Sequence, residues 1–333
     1  MRKPPVSLAV RTFALLLILF ITGCSNQPLF PTSTVPPTTT VPPTLTILPT
    51  ATNSIPTSTA TSLPTPTPIP TPQLRFAVIG DYGRAGEDLA AVASLIDSWD
   101  VDLIITTGDN NYPVGSPYTI DENIGQYFHN YIAPYQGSYG EGATENRFFP
   151  SLGNHDWIWL DARPYLGYFE LPGNERYYTF SKGFIDFFVL SSDWDEPDGI
   201  TADSIQGKWL KEQLAQSTAS WQVVYFHHAP YSSGYHGPTL HMQWPFQAWG
   251  ADVVLSGHDH HYERLEIDGI PYFVQGLSGA QKYGIYDILP ESQVRYNETY
   301  GALLVDATPQ QLRFRFYNIE GELVDDYSIT SDP

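Results

Sequence analysis

The sequence holds very little cysteine, methionine or positive charge. A single Cys, Cys24, in 333 residues excludes a disulfide framework within the chain. No glycine period and no sustained heptad is present, which excludes collagen and coiled coil. Only one long apolar run occurs, which excludes a polytopic membrane protein. Positive charge is scarce, with 16 Lys+Arg against 36 Asp+Glu. Residues 1–73 contain no acid and only three basic groups, Arg2, Lys3 and Arg11, so 13 basic groups face all 36 acids beyond them, a formal −23. Such a surface repels nucleic acid and anionic lipid, and neither is expected as a partner.

What is there begins with an address. Arg2, Lys3 and Arg11 precede an apolar run from Phe13 to Ile21, which is followed by Ile21-Thr22-Gly23-Cys24. A basic stretch, a short apolar core and small residues before a cleavage point read as a secretory signal over residues 1–23. The run is shorter than the roughly 20 residues a permanent membrane span needs. The Cys after Thr-Gly resembles a bacterial lipobox, which implies acylation of Cys24 and a membrane anchor by lipid alone. Residues 24–73 are nearly all Thr, Pro, Ser and small apolar groups. Such a stretch cannot bury a core and favours extended polyproline conformation, so it is expected to be a stalk outside the cytoplasm.

From Leu74 the pattern changes to strand, acidic turn, helix and strand. Leu74–Ile79 is apolar and ends in Gly80-Asp81-Tyr82-Gly83; Leu89, Val92, Leu95, Ile96 and Trp99 then fall at helical spacing over residues 87–99. A second apolar run over residues 101–106 ends in Gly108-Asp109-Asn110-Asn111-Tyr112. Each Asp thus stands just past the carboxyl end of a strand, where open α/β sheets place their sites. Further runs over residues 184–190, 221–226 and 251–255 follow, and the last two lead into His-rich turns. Residues 302–306, 311–317 and 323–329 read as three antiparallel strands, so mixed sheets flanked by helices over residues 74–333 fit best.

Five turns carry the chemistry. Singly, each is weak, since Asp, Asn and Gly are ordinary turn formers. Gly257-His258-Asp259-His260 is the strongest alone, because two His at i, i+2 after a strand can point at one ion. Together, five strand ends present Asp, Asn or His beside Gly or Pro. That donor mixture suits two borderline metals such as Fe, Zn or Mn, with Asp109 able to bridge them.

The five blocks, completed by Gly153-Asn154-His155-Asp156 and His228-Ala229-Pro230, resemble those of the calcineurin-like metallophosphoesterases. Within that superfamily they are most similar to the purple acid phosphatases, the tartrate-resistant type included. Tyr82 stands where most members place a metal-binding His, and Tyr112 follows Asp109 by three residues, where the purple enzymes carry a phenolate for Fe(III). The resemblance implies a four-layer α/β/β/α sandwich of two mixed sheets. It implies that Asp81, Asp109, Tyr112 and His260 hold the ferric ion, and that Asp109, Asn154, His228 and His258 hold a divalent Fe, Zn or Mn. Metal-bound hydroxide would attack phosphorus, with His155 at the leaving group, Asp156 orienting it, and His236 of Tyr235-His236-Gly237-Pro238-Thr239 in the pocket. The family spacing His-x-Pro selects His228 over His227, and strand alternation then turns His227 to the opposite side.

The expectation is therefore a lipid-anchored, monomeric phosphatase acting on small phosphate monoesters outside the cell. The rivals are a phosphodiesterase or nucleotide hydrolase on the same site and, from another class, a catalytically silent surface-binding module.

Overall fold

The computed structural model describes residues 74–331. The expected signal peptide, the expected stalk and the expected lipidation site Cys24 lie outside the described residues.

In chain order the strands are β1 (Leu74–Ile79), β2 (Leu103–Thr106), β3 (Phe148–Pro150), β4 (Tyr178–Lys182), β5 (Ile185–Val189), β6 (Trp221–His228) and β7 (Val253–Gly257). They continue with β8 (Tyr262–Ile267), β9 (Ile270–Gln275), β10 (Ser292–Tyr296), β11 (Gly301–Thr308), β12 (Gln311–Asn318) and β13 (Leu323–Thr330). The central strands β1, β2, β6 and β7 follow from apolar runs too continuous to have a wet face. One sheet runs β13-β12-β11-β1-β2-β3, and the other runs β10-β8-β9-β7-β6-β5-β4. Within the first, β1, β2 and β3 are parallel and β11 to β13 antiparallel. Within the second, β5, β6, β7 and β9 are parallel. Parallel strands need both faces covered, and β2 and β7 are buried at every residue.

The sheets pack face to face. Phe76 of β1 meets Phe187 of β5 edge-on with centroids 5.4 Å apart, and Phe314 of β12 meets Phe273 of β9 at 4.7 Å. Hydrogen bonds tie the layers, among them Trp221 Nε1 to the Thr308 carbonyl at 2.8 Å and Tyr225 Oη to that of Phe149 at 2.9 Å. Alternation along β6 is clean: Val223 and Tyr225 enter the core between the sheets, while Val224 and Phe226 enter a second core outside. That outer core is closed by Leu210 and Leu214 of the helix Ile205–Gln216, whose first turn is capped by Ser204 accepting from the Gly207 N–H. On the first sheet the helix α1 (Glu87–Asp97) buries Leu89, Val92 and Ile96. This is the expected pair of mixed sheets with helices outside.

Differences from the sequence reading have local causes. The helix α1 stops at Asp97, two residues before Trp99, because Asp100 takes a left-handed φ of 52° and starts the turn into β2. The strand β6 runs two residues beyond the expected 226 and includes both His227 and His228. Short or polar strands escaped notice, β3 with three residues and β10 with the sequence SQVRY among them.

Phe187 is fully buried between Phe76 and a ring stacked at 4.7 Å, Phe180. Phe187→Ala is expected to cost about 3–5 kcal/mol through the cavity it leaves. A denaturant midpoint unchanged from the parent would show that the two sheets do not depend on this layer.

Candidate metal centre

All the chemistry gathers at the carboxyl ends of β1, β2, β3, β6 and β7, where the two sheets face each other. Asp81 and Asp109 each take a left-handed φ, 52° and 55°, and His258 a φ of 71°. Such backbone is sparsely populated for residues other than glycine and costs on the order of 1–3 kcal/mol where it occurs. Here it turns each chain sharply off its strand and aims the side chain across the gap. Close approach does the rest. A Cβ on Gly153 would lie 2.2 Å from Asp109 Oδ1, and one on Gly108, at φ 91°, would lie 2.7 Å from His227 Nδ1.

One group of donors forms around the phenol of Tyr112. Its Oη lies 2.8 Å from Asp109 Oδ2, 3.3 Å from Asp81 Oδ1 and 3.1 Å from His260 Nε2, and His260 Nε2 lies 3.1 Å from Asp81 Oδ1. A second group forms around His227. Its Nε2 lies 3.0 Å from Asn154 Oδ1, 3.2 Å from His258 Nδ1 and 3.5 Å from Asp109 Oδ1. Asp109 therefore offers Oδ2 to one group and Oδ1 to the other, and Oδ1 also accepts the His155 N–H at 2.9 Å.

This placement keeps His228 in a cluster with His227 and His258 that could hold a metal, and corrects only the expected direction of His227. His227 does not turn away. It continues the inward series Val223, Tyr225 and so faces the first sheet, meeting Asp109 and Asn154. His228 meets neither. Its Nδ1 pairs with Ser192 Oγ at 2.9 Å, and its ring lies 4.4 Å from that of His258. Both rings stay close because the β6–β7 register slips between Tyr225 and His228, giving β6 one extra residue. The bulge twists the strand end, so His227, His228 and His258 bring ligand atoms within 4.8 Å of one another, as do Asp81, Asp109 and His227.

A second correction concerns Asp156. It does not orient His155, whose Nδ1 lies 2.5 Å from the Pro113 carbonyl. The Asp156 carboxylate instead accepts from the Gly153 N–H at 2.9 Å and from Asn110 Nδ2 at 2.8 Å, tying the turn after β3 to the turn after β2. Burial, then the charge of Asp109, push its pKa up to about 7. Tyr82 also leaves the site: it is buried, donates to Asn110 Oδ1 at 3.0 Å and packs on Phe128.

The donors suit cations. Asp81 and Asp109 are 0% and 1% exposed, and among the described residues no Lys or Arg pairs with either. Buried carboxylates without a counter-charge are costly, so such groups are normally paired or bound to metal. The imidazoles agree. His260 Nδ1 donates to the Gln281 carbonyl and His227 Nδ1 to that of Thr107 at 2.9 Å, since a carbonyl can only accept. With a proton fixed on Nδ1, each ring aims Nε2 at carboxylate oxygens, where it carries a second proton or, once deprotonated, a lone pair for a cation. Burial opposes charge on both rings, but Asp81 and Asp109 outweigh it and raise both pKa values. His228 and His258 are held well below the usual value by burial and then by neighbouring imidazoles. Burial, then Asp109 and Asp81, keep Tyr112 protonated in the absence of a cation; a bound metal inverts that balance.

Above the donors lies a cleft of about 450 Å³ lined by Tyr112, His155, His260, Gln281, Tyr283 and Arg84. His155 is half-buried at its wall, with Nε2 3.9 Å from Asp109 Oδ2. His236 stacks on His258 at 4.2 Å, its N–H held by Asp259 Oδ1 at 2.8 Å, and burial lowers its pKa. Tyr283, stacked on His260 at 4.0 Å, was not singled out from the sequence, because it stands 23 residues past the last block in a stretch without periodicity. Arg84 carried a signal that was passed over, its place next to Gly83 of the first block.

His227→Ala is expected to weaken binding of one zinc ion at least ~100-fold, beyond the 10–100-fold typical of outer-shell losses. His228→Ala is expected to weaken it less. Competition with a zinc chelator measures both, and equal losses would put the two rings on the same footing.

Comparison with known proteins accords with this geometry. The sequence pattern described as calcineurin-like phosphoesterase matches residues 74–262. Purple acid phosphatase 3 of Arabidopsis thaliana is 25% identical over 286 residues, covering 75% of each chain. Tartrate-resistant acid phosphatase type 5 of Sus scrofa is 22% identical over 294 residues, 75% of this chain and 84% of that protein. Among solved structures, a purple acid phosphatase from yellow lupin superposes with a TM-score of 0.63 at 17% identity, covering 78% of this chain but only 54% of its own. GAP50 of Plasmodium, described as an anchor in the inner membrane complex, superposes at 0.61 with 18% identity, over 79% of this chain and 90% of its own. At those identities the two structures speak for the fold alone. With the matching pattern over more than half its length and a bridging carboxylate between two donor groups, the chain belongs to the calcineurin-like phosphoesterases, as a metal-dependent phosphoester hydrolase similar to the purple acid phosphatases.

Proposed function

We propose that the protein hydrolyses phosphate monoesters outside the cytoplasm at a dinuclear centre bridged by Asp109. The observation that carries this reading is the divided carboxylate, with Oδ2 2.8 Å from the Tyr112 phenol and Oδ1 3.5 Å from His227 Nε2. Asp81, Asp109, Tyr112 and His260 would hold one ion, a ferric one given the phenolate donor. Asp109, Asn154, His227 and His258 would hold a divalent Fe, Zn or Mn, with His228 at its edge. When bound, the pair supplies Lewis acidity to the phosphoryl group and to the attacking water.

The residues of the chain do the remainder. His155, its Nδ1 held by the Pro113 carbonyl, presents Nε2 to the cleft, where its protonated form donates to the leaving-group oxygen. His236, fixed on the face of His258, places a second imidazole against the ester. Tyr283 and Tyr112 form part of the cleft wall.

Retention of every donor favours a hydrolase over a silent binding module. A diesterase remains the closest rival, as it needs the same donors. For location, the lipobox-like Ile21-Thr22-Gly23-Cys24 and the Thr/Pro-rich residues 24–73 support a lipid-anchored protein on a bacterial envelope, acting as a monomer on small soluble esters.

Asp109→Asn is expected to lower kcat/KM for p-nitrophenyl phosphate at least ~100-fold, since one group serving both ions outweighs an outer-shell loss. The bis-ester should be a poorer substrate than the monoester by a similar factor. Near-normal turnover by Asp109→Asn would contradict the bridge, and faster bis-ester cleavage would favour the diesterase.

A further inference from the structure

Positive charge is scarce in this domain, and where it goes is informative. Six of its basic residues, Arg75, Arg176, Lys182, Arg264, Arg313 and Arg315, are ion-paired with carboxylates. Arg84 is not: among the described residues its guanidinium has neither an ion pair nor a hydrogen bond, and it is exposed. It nevertheless lines the cleft above the donors. It also lines an adjoining cavity of about 600 Å³ together with Lys282, Gly86, Asp88, Gly279 and Tyr300. Lys282 lies 5.5 Å over the Tyr300 ring and donates to the Glu298 carbonyl, leaving its charge unmatched by a carboxylate. Asp88 is the one carboxylate in the lining, so the two cations leave the cavity net positive in a strongly acidic domain.

Both cations are tied to the donor groups by short backbone. Arg84 follows Gly83, whose N–H donates to the Asp109 carbonyl at 3.2 Å. Lys282 follows Gln281, whose carbonyl accepts from His260 Nδ1, and the Ala280 N–H donates to the Asp81 carbonyl at 2.8 Å. The positions of the two side-chain roots are thus fixed relative to the reacting centre.

Resting on the phosphomonoesterase reading, we infer that the Arg84–Lys282 cavity is a subsite for a second phosphoryl group, and that the preferred substrates are small bisphosphorylated compounds. The scissile phosphate would occupy the metal cleft. Arg84, shared by both cavities, would meet the second phosphate with its planar fork of donors, and Lys282 would add a point charge. No bond changes at this subsite; it selects by charge.

The test is calorimetric titration of the metal-loaded protein with a four-carbon bisphosphonate and with its single-phosphonate counterpart, neither of which is hydrolysed. The wild-type protein is expected to bind the bisphosphonate at least about tenfold more tightly, as one added charge-assisted contact would give. Lys282→Gln should reduce that preference severalfold while leaving the single phosphonate unaffected, and Arg84→Gln combined with it should abolish the preference. Rescue by Arg84→Lys in part would separate charge from loop structure. Equal affinity of the wild-type protein for the two probes, or a preference that survives the double variant, overturns the subsite and leaves the monoesterase reading standing. Failure of the single phosphonate to bind at all counts against that reading itself; a bisphosphonate that still bound through Arg84 and Lys282 would then support the subsite alone.

Discussion

Two buried carboxylates without an Arg or Lys partner set the terms for everything around them. Asp81 and Asp109 sit at 0–1% exposure among imidazoles and a phenol, where an uncompensated charge costs several kcal/mol. The fold does not relieve this by supplying Arg or Lys. It fixes the surrounding rings instead, by giving their Nδ1 protons to the Thr107 and Gln281 carbonyls, so that each Nε2 turns toward the acids. The arrangement is stable once cations stand between them, and metal binding and local order become one event.

The architecture delivers those groups from both sheets. Asp81, Asp109 and Asn154 leave the ends of β1, β2 and β3, while His227, His258 and His260 leave β6 and β7 across the gap. The packing of Phe76 on Phe187 and the Tyr225–Phe149 bond hold the sheets in register just behind. Left-handed backbone at Asp81, Asp109 and His258 is the local strain that the stiff scaffold sustains. Asp156, buried and bonded to Gly153 and Asn110, clamps two of the turns together and so supports the turn that carries Asp109, not the ring of His155.

Much of this was legible in the residues. Four of the five turns announced themselves because each places Asp or His after an apolar run, and the βαβ unit followed from helical spacing between two such runs. The inward turn of His227 was not legible. Alternation along β6 correctly separates it from His228, but which face meets the other sheet depends on tertiary packing, and the bulge before His228 leaves no mark in the sequence. Tyr283 was hidden for a related reason: it reaches His260 by a loop return that no periodicity encodes. Short strands such as β3 gain their pairing from neighbours, not from their own three residues.

The proposed chemistry requires Tyr112 and Asp109, 2.8 Å apart, to share a ferric ion. A visible absorption spectrum of the purified, iron-loaded protein tests this most directly. The account predicts a broad phenolate-to-iron band that vanishes in Tyr112→Phe while bound iron is retained. A colourless protein saturated with two metal ions, or a band indifferent to Tyr112→Phe, would contradict it.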